Sequence, residues 1–125
     1  MKQRKLKDKA ILLLKSLIET QSFSSEEDKT AAIIENWFSA FKIPFQRTEN
    51  NVWATNKYFT EGKPCILLNS HHDTVKPSNG YTKNPFEAIH AGGKLYGLGS
   101  NDAGGALVSL MAAFSHFYDK KNLNY

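Results

Sequence analysis

The chain holds a single cysteine, Cys65, in 125 residues. No internal disulfide and no cysteine-rich zinc knuckle can form from it, and a lone thiol suits a reducing compartment, so a cytoplasmic location is expected. Long apolar runs are scarce as well. The stretch Ala10 to Leu14 ends at Lys15 after five residues, far short of the roughly 18 that a membrane span needs. The basic start Lys2, Arg4, Lys5, Lys7, Lys9 imitates the charged region of a secretory signal, but no apolar region of sufficient length follows. The reading is no signal peptide and no membrane partner.

A concentrated basic surface is also missing. The net charge is +4. Residues 1–30 carry 7 basic and 5 acidic groups and residues 31–125 carry 9 and 7, so each part contributes +2. A nucleic-acid binder would show a basic stripe with interleaved aromatics. Here the densest basic run falls on the polar face of an amphipathic helix, and no nucleic-acid partner is expected. There is no internal repeat, low-complexity segment or dividing linker, and 41% hydrophobic residues with 22% charged describe one ordinary globular domain.

What is present begins with helical periodicity. Leu6, Ala10, Leu13, Leu14, Leu17 and Ile18 recur at steps of three and four and predict a helix over about residues 3–21. Ser24 followed by Glu27 has the form of a capping box. It predicts a second helix whose stripe is Ala31, Ile34, Trp37, Phe38 and Phe41, ending near Ile43 because Pro44 disfavours helical backbone just before it. Residues 45–48 and 51–55 predict two short strands around a turn at Glu49 and Asn50. The continuous apolar run Cys65 to Leu68 predicts a central strand buried on both faces. A further short strand is expected over residues 94–96. A third helix is expected from Asp102 to about Tyr118, with Ala106, Leu107, Leu110, Met111, Phe114 and Phe117 as its stripe. Helices flanking buried strands imply an α/β layer architecture. The third helix is followed only by residues 120–125, and the expectation is of a chain cut short before its next strand.

Polar groups able to bind a metal follow the expected central strand. In Asn69-Ser70-His71-His72-Asp73-Thr74-Val75 the alternation of a strand sends His71 and Asp73 to one side and His72 to the other. A ligating imidazole is commonly oriented by a carboxylate on its second nitrogen, and a hydrogen-bonded structural pair would look the same in sequence. Asp102 either caps the helix it begins or serves a site. Gly104 and Gly105 sit in the first turn of that helix, where each costs about 1 kcal/mol relative to alanine. Close approach of the helix start to the strand carrying His71 is the expected reason. The glycine pattern matches neither Gly-x-Gly-x-x-Gly nor a phosphate loop ending in Gly-Lys-Ser. His71, Asp73 and Asp102 together suggest an imidazole and carboxylate metal site, suited to zinc, cobalt or manganese. His116 lies 14 residues past Asp102, about 21 Å along a helix, and cannot share it. His90 reads as an ordinary half-exposed residue, and His72 as a neighbour of the site.

The runs His71-His72-Asp73-Thr74-Val75-Lys76-Pro77, Asn84-Pro85-Phe86 and Lys94-Leu95-Tyr96-Gly97-Leu98-Gly99-Ser100-Asn101-Asp102-Ala103-Gly104-Gly105 occur in that order. They resemble the two N-terminal signatures of the acetylornithine deacetylase and succinyl-diaminopimelate desuccinylase family of zinc hydrolases, which also contains aminoacylases, carboxypeptidases, dipeptidases and tripeptidases. The resemblance covers essentially the whole chain and is greatest toward acetylornithine deacetylase, including its acetylcitrulline-acting branch. Many members carry lysine where Ala103 or Gly104 stands here. The resemblance implies the N-terminal portion, residues 1–125, of a three-layer α/β catalytic domain with a mixed, mostly parallel sheet. The rest of that domain and a dimerisation domain lie outside the chain, so a homodimer is implied only for a longer form. It also implies that His71 binds one of two zinc ions, for which cobalt can substitute, that Asp73 clamps His71 and acts in catalysis, and that Asp102 bridges both metals, as a carboxylate does between ions about 3.5–4 Å apart.

The implied activity is hydrolysis of the amide bond of N-acyl amino acids, acetylornithine or acetylcitrulline foremost, by a metal-bound water, in amino-acid and specifically arginine biosynthesis. Related readings are a dipeptidase, tripeptidase or carboxypeptidase on short peptides. A non-catalytic metal-binding fragment is the reading from a different class. The general base and remaining ligands of the family have no counterpart here, since Asp119 is the one acidic residue after Asp102. An inactive isolated chain is therefore expected.

Overall fold

The computed structural model describes residues 2–125. Helix α1 (Lys2–Ile18) and helix α2 (Asp28–Ala40) form where the apolar stripes predicted them. Their inward faces meet those of α3 (Gly105–Phe117) in one core built from Ala10, Leu13, Leu17, Ile34, Trp37, Phe38, Leu107, Val108 and Met111. Trp37 Nε1 donates to Ser115 Oγ at 3.0 Å and satisfies the indole donor where α2 crosses α3. None of the helices among the described residues is long and apolar enough to cross a membrane.

Pro44 is not alone in ending α2. Lys42 takes a left-handed backbone (φ 55°), and the Lys42 and Ile43 N–H groups donate back to the carbonyls of Ser39 and Phe38 at 3.0 and 2.9 Å. That is a Schellman closure, with buried Ile43 in the same core cluster as Phe38. The start of α2 differs from expectation. Ser24 makes no capping bond, the helix begins at Asp28 after Glu27, and Glu27 Oε2 is buried without a hydrogen-bond partner among the described residues.

Two antiparallel hairpins complete the described secondary structure. β1 (Gln46–Thr48) pairs with β2 (Asn51–Trp53) in the register Gln46 to Trp53, around the turn at Glu49 and Asn50. Arg47 pins this hairpin to α2 through Glu35 (3.0 Å), and it also holds the turn through the Glu49 carbonyl and Asn50. β3 (Ile89–Ala91) pairs with β4 (Lys94–Tyr96) around Gly92 and Gly93, both at positive φ, the backbone a two-residue hairpin turn demands. His90, expected as an ordinary half-exposed residue, lies on β3 and is exposed.

The architecture is thus a small α/β arrangement of three helices and two two-stranded antiparallel sheets. The mostly parallel sheet of a three-layer domain is not what the described residues form. Cys65 to Leu68, expected as the central buried strand, forms no strand and is exposed, with Leu67 at 84%. The physical reason is pairing. A strand exists through its ladder, and neither ladder among the described residues includes residues 65–68.

Candidate metal centre

The site lies where the segment after Leu68 passes the loop that enters α3. Its first anchor is His72, which faces away from the site as the alternation required. His72 Nε2 is 2.9 Å from the Asn50 carbonyl and Nδ1 is 2.7 Å from Thr30 Oγ1. A carbonyl can only accept, so Nε2–H donates to it, while Nδ1 pairs with the Thr30 hydroxyl, which is also 3.1 Å from the Glu27 carbonyl. Both ring nitrogens are used in tying the segment to α2 and to the β1–β2 turn.

His71 faces the opposite way. Its Nδ1 lies 3.1 Å from both Asp73 Oδ1 and the Asp73 main-chain carbonyl oxygen, and its Nε2 lies 3.1 Å from Asp102 Oδ1. Asp102 does not cap α3. It stands three residues before the helix, inside a π turn (Ser100–Gly104), with non-helical backbone (φ −121°, ψ 93°), a cis peptide to Ala103 and no capping hydrogen bond. The carboxylate faces outward, 88% exposed, with Oδ1 toward His71.

The glycines explain how the turn is held there. A Cβ on Gly104 would sit 2.6 Å from both the Gly99 carbonyl oxygen and Leu14 Cδ1, and the Gly104 N–H donates to that same carbonyl at 2.7 Å. A Cβ on Gly97 would overlap the Ile18 side chain, and one on Gly99, at φ 76°, would come within 2.7 Å of Thr74 Cγ2. Close approach is therefore the reason for these glycines, as the sequence suggested. The neighbour is different: Gly104 and Gly105 pack on the Gly99–Ser100 backbone and α1, not on the segment carrying His71.

Electrostatics follow from the contacts. Burial acts most on the His71 imidazole and lowers its pKa, but the hydrogen bonds and charges of Asp73 and Asp102 together outweigh it and raise the pKa above 6.5. The Asp73 carboxyl is held below its usual 3.8, chiefly by the hydrogen bond from Ser24 and further by His71, against the opposing effect of burial. The three side chains open onto a cleft of about 350 Å³ that is also lined by Thr74, Tyr81 and Ser100.

This donor set fits a borderline divalent metal in kind. Nε2 and a carboxylate oxygen are both electron-rich, so their approach to 3.1 Å requires a positive centre between them, a proton or a metal ion. Two ligands on one tetrahedral zinc, each about 2.0–2.1 Å from it, stand roughly 3.3 Å apart, close to the distance found. In number the set is partial. Zinc sites use roughly three or four protein ligands, and among the described residues no group of three or more His, Cys, Asp or Glu is gathered for a metal. His116, on α3 against Phe117, and His90, on β3, stay outside the site. Sequence reasoning missed Ser24, whose Oγ lies 2.6 Å from Asp73 Oδ2.

Residues 67–124 match Peptidase family M20/M25/M40. Over 110 residues the chain is 29% identical to a succinyl-diaminopimelate desuccinylase of Gluconobacter oxydans, covering 82% of this chain and 28% of that protein. Over 116 residues it is 32% identical to an acetylornithine deacetylase of Buchnera aphidicola, covering 82% and 30%. A probable succinyl-diaminopimelate desuccinylase of Staphylococcus aureus strain Mu50 is 26% identical over 117 residues, covering 90% and 29%. The chain is similar to this family of hydrolases and metallopeptidases, the one its motifs resemble. It spans under a third of the length of these curated relatives.

Proposed function

We propose that this chain carries part of the active centre of a zinc-dependent hydrolase that cleaves the amide bond of N-acyl amino acids, with an acetyl or succinyl acyl group. The observation that carries the reading is the placement of one imidazole between two carboxylates at 3.1 Å each, at the mouth of a cleft. The acyl groups are taken from the names of the relatives. His71 Nε2 and Asp102 are the metal ligands this chain supplies, and Asp102, with its second oxygen exposed, is the carboxylate able to bridge two ions. Asp73 accepts a hydrogen bond from His71 Nδ1–H through its carboxylate and its main-chain carbonyl, which would leave Nε2 bare to hold a metal and fix the ring. Bound zinc supplies Lewis acidity toward the amide carbonyl. The Gly99–Asp102 loop and Thr74 form the wall against which an acyl amino acid would lie. The general base and the other ligands come from groups outside this trio.

The test uses the purified chain. Zinc affinity is measured by competition with a chromophoric chelator for the parent, His71→Ala and Asp102→Ala, and amide NMR shifts are followed on adding N-acetylornithine or N-succinyl-diaminopimelate to the zinc-loaded chain. The expected result is a weaker affinity in both variants, and zinc-dependent shifts confined to Thr74 and residues 97–102. Equal affinity in all three proteins, or no ligand-induced shifts at those positions, would overturn the reading.

A further inference from the structure

Ser24 and Asp73 are 49 residues apart in sequence, yet Ser24 Oγ donates to Asp73 Oδ2 at 2.6 Å, the length of a charge-assisted O–H···O⁻ bond. The contact belongs to a larger docking. The Thr74 N–H donates to the Ser22 carbonyl at 2.8 Å, Ser22 Oγ donates to the His72 carbonyl at 2.9 Å, and Phe23 forms a parallel bridge with Thr74. The linker between α1 and α2 thus runs as a strap along the segment that carries His71 and Asp73. The main-chain contacts fix the backbone of that segment, and Ser24 is where the strap reaches a side chain of the site.

We infer that Ser24 is a positioning residue: its hydroxyl fixes the Asp73 carboxylate so that Oδ1 joins the Asp73 main-chain carbonyl at His71 Nδ1, which strengthens the preference for the Nδ1–H tautomer and sets the aim of the imidazole toward Asp102. The reason lies in the torsion. The terminal torsion of an aspartate is broad and two-fold, and Asp73 is 36% exposed, so water competes for its oxygens. A bond to one oxygen alone leaves the carboxylate free to turn away from a half-exposed ring. Bonds to both oxygens, from residues on different segments, hold its plane. A hydroxyl suffices for this and threonine supplies one; alanine does not. The use of the oriented imidazole as a metal ligand rests on the function proposed above, whereas the relay from Ser24 through Asp73 to His71 stands on its own geometry.

The experiment compares the parent chain with Ser24→Ala, Ser24→Thr, Asp73→Asn and the double variant Ser24→Ala/Asp73→Asn. Two quantities are read: the share of the Nδ1–H tautomer of His71, from imidazole ¹⁵N–¹H correlations without zinc, and zinc affinity by chelator competition. Removing a group that orients a metal-ligating histidine directly costs about 10–100-fold in affinity. Ser24 acts one bond further out, and a loss of about tenfold or less is expected for Ser24→Ala, with a reduced Nδ1–H share. Ser24→Thr should restore both. In the Asp73→Asn background, Ser24→Ala should change neither. An unchanged tautomer in Ser24→Ala, an equal loss in the Asp73→Asn background, or a collapse of the far-UV circular dichroism in Ser24→Ala would each make Ser24 a structural residue and overturn the inference. If His71→Ala binds zinc as tightly as the parent, the metal reading fails while the tautomer measurement still decides the role of Ser24.

Discussion

His71 Nε2 and Asp102 Oδ1 meet at 3.1 Å although 31 residues separate them. One comes from the segment that follows the exposed apolar run Cys65 to Leu68, the other from a π turn ahead of α3. Neither is buried, so the contact is held by the backbone around it and not by enclosure: Thr74 is hydrogen-bonded to Ser22, and Gly104 to Gly99.

That arrangement makes the imidazole sensitive to pH in a defined sense. With chelator present, His71 is expected to titrate above 6.5, because its contacts with the two carboxylates favour the charged ring. A raised folded-state pKa means that the stabilisation is fully present below 6.5 and is lost as pH rises through the folded value. The destabilisation caused by Asp102→Asn should therefore be larger at pH 6 than at pH 9. Zinc needs the deprotonated ring, so zinc affinity should rise over the same interval. NMR titration of the His71 ring protons with urea unfolding at the two pH values checks this, and a His71 pKa below 6.5 would contradict it.

Asp73→Asn removes the anionic acceptor from His71 Nδ1 while keeping the shape of the side chain. Zinc affinity should fall by about 10–100-fold, and Asp102→Ala, which removes a ligand outright, should weaken it further. Chelator competition ranks the two variants.

The two adjacent glycines are expected to respond differently. Gly104→Ala forces a Cβ against a backbone carbonyl and Leu14 at 2.6 Å, an overpacking that costs about 1–3 kcal/mol. Gly105→Ala meets only the Ser100 carbonyl, at 3.1 Å, and gains about 1 kcal/mol of helix propensity in return. Urea denaturation should place Gly104→Ala clearly below Gly105→Ala in stability.

Leu67 and Leu17 offer a direct comparison of exposed and buried leucine. Leu67 is 84% exposed and Leu17 8%. In this chain Leu67→Ser should stay within about 0.5 kcal/mol of the parent, whereas Leu17→Ala should cost about 2–5 kcal/mol. A large cost at Leu67 would mean that residues 65–68 are buried in solution.

The purified chain with zinc or cobalt is expected to leave N-acetylornithine and N-succinyl-diaminopimelate unhydrolysed. Two protein donors fall short of the roughly three of a catalytic zinc site, and among the described residues lining the cleft no carboxylate besides Asp73 and Asp102 stands ready as a general base, a group worth about 10²–10⁴-fold in rate. Release of free amine, followed over hours, is the measurement. Metal-dependent turnover abolished by His71→Ala would show a more complete centre.

What the sequence by itself determined is what depends on near neighbours. The stripes of α1, α2 and α3 repeat at the period of the helix, the turn at Glu49 and Asn50 sits between two short β-forming runs, and residues two apart on an extended segment face one side, which paired His71 with Asp73 and turned His72 away. The ordered motifs also carried the resemblance to Peptidase family M20/M25/M40. Only the tertiary structure decided the rest, because it depends on residues far apart in the chain. A capping serine and a serine that holds an aspartate look alike until Asp73 is brought to Ser24. The run Cys65 to Leu68 is apolar enough for a buried strand, yet strand formation needs hydrogen-bond partners, which local composition does not encode. Asp102 reads as a helix cap in one dimension, and it becomes a candidate ligand only because packing of Gly104 on Gly99 and Leu14 delays the helix to Gly105 and leaves the carboxylate free to face His71.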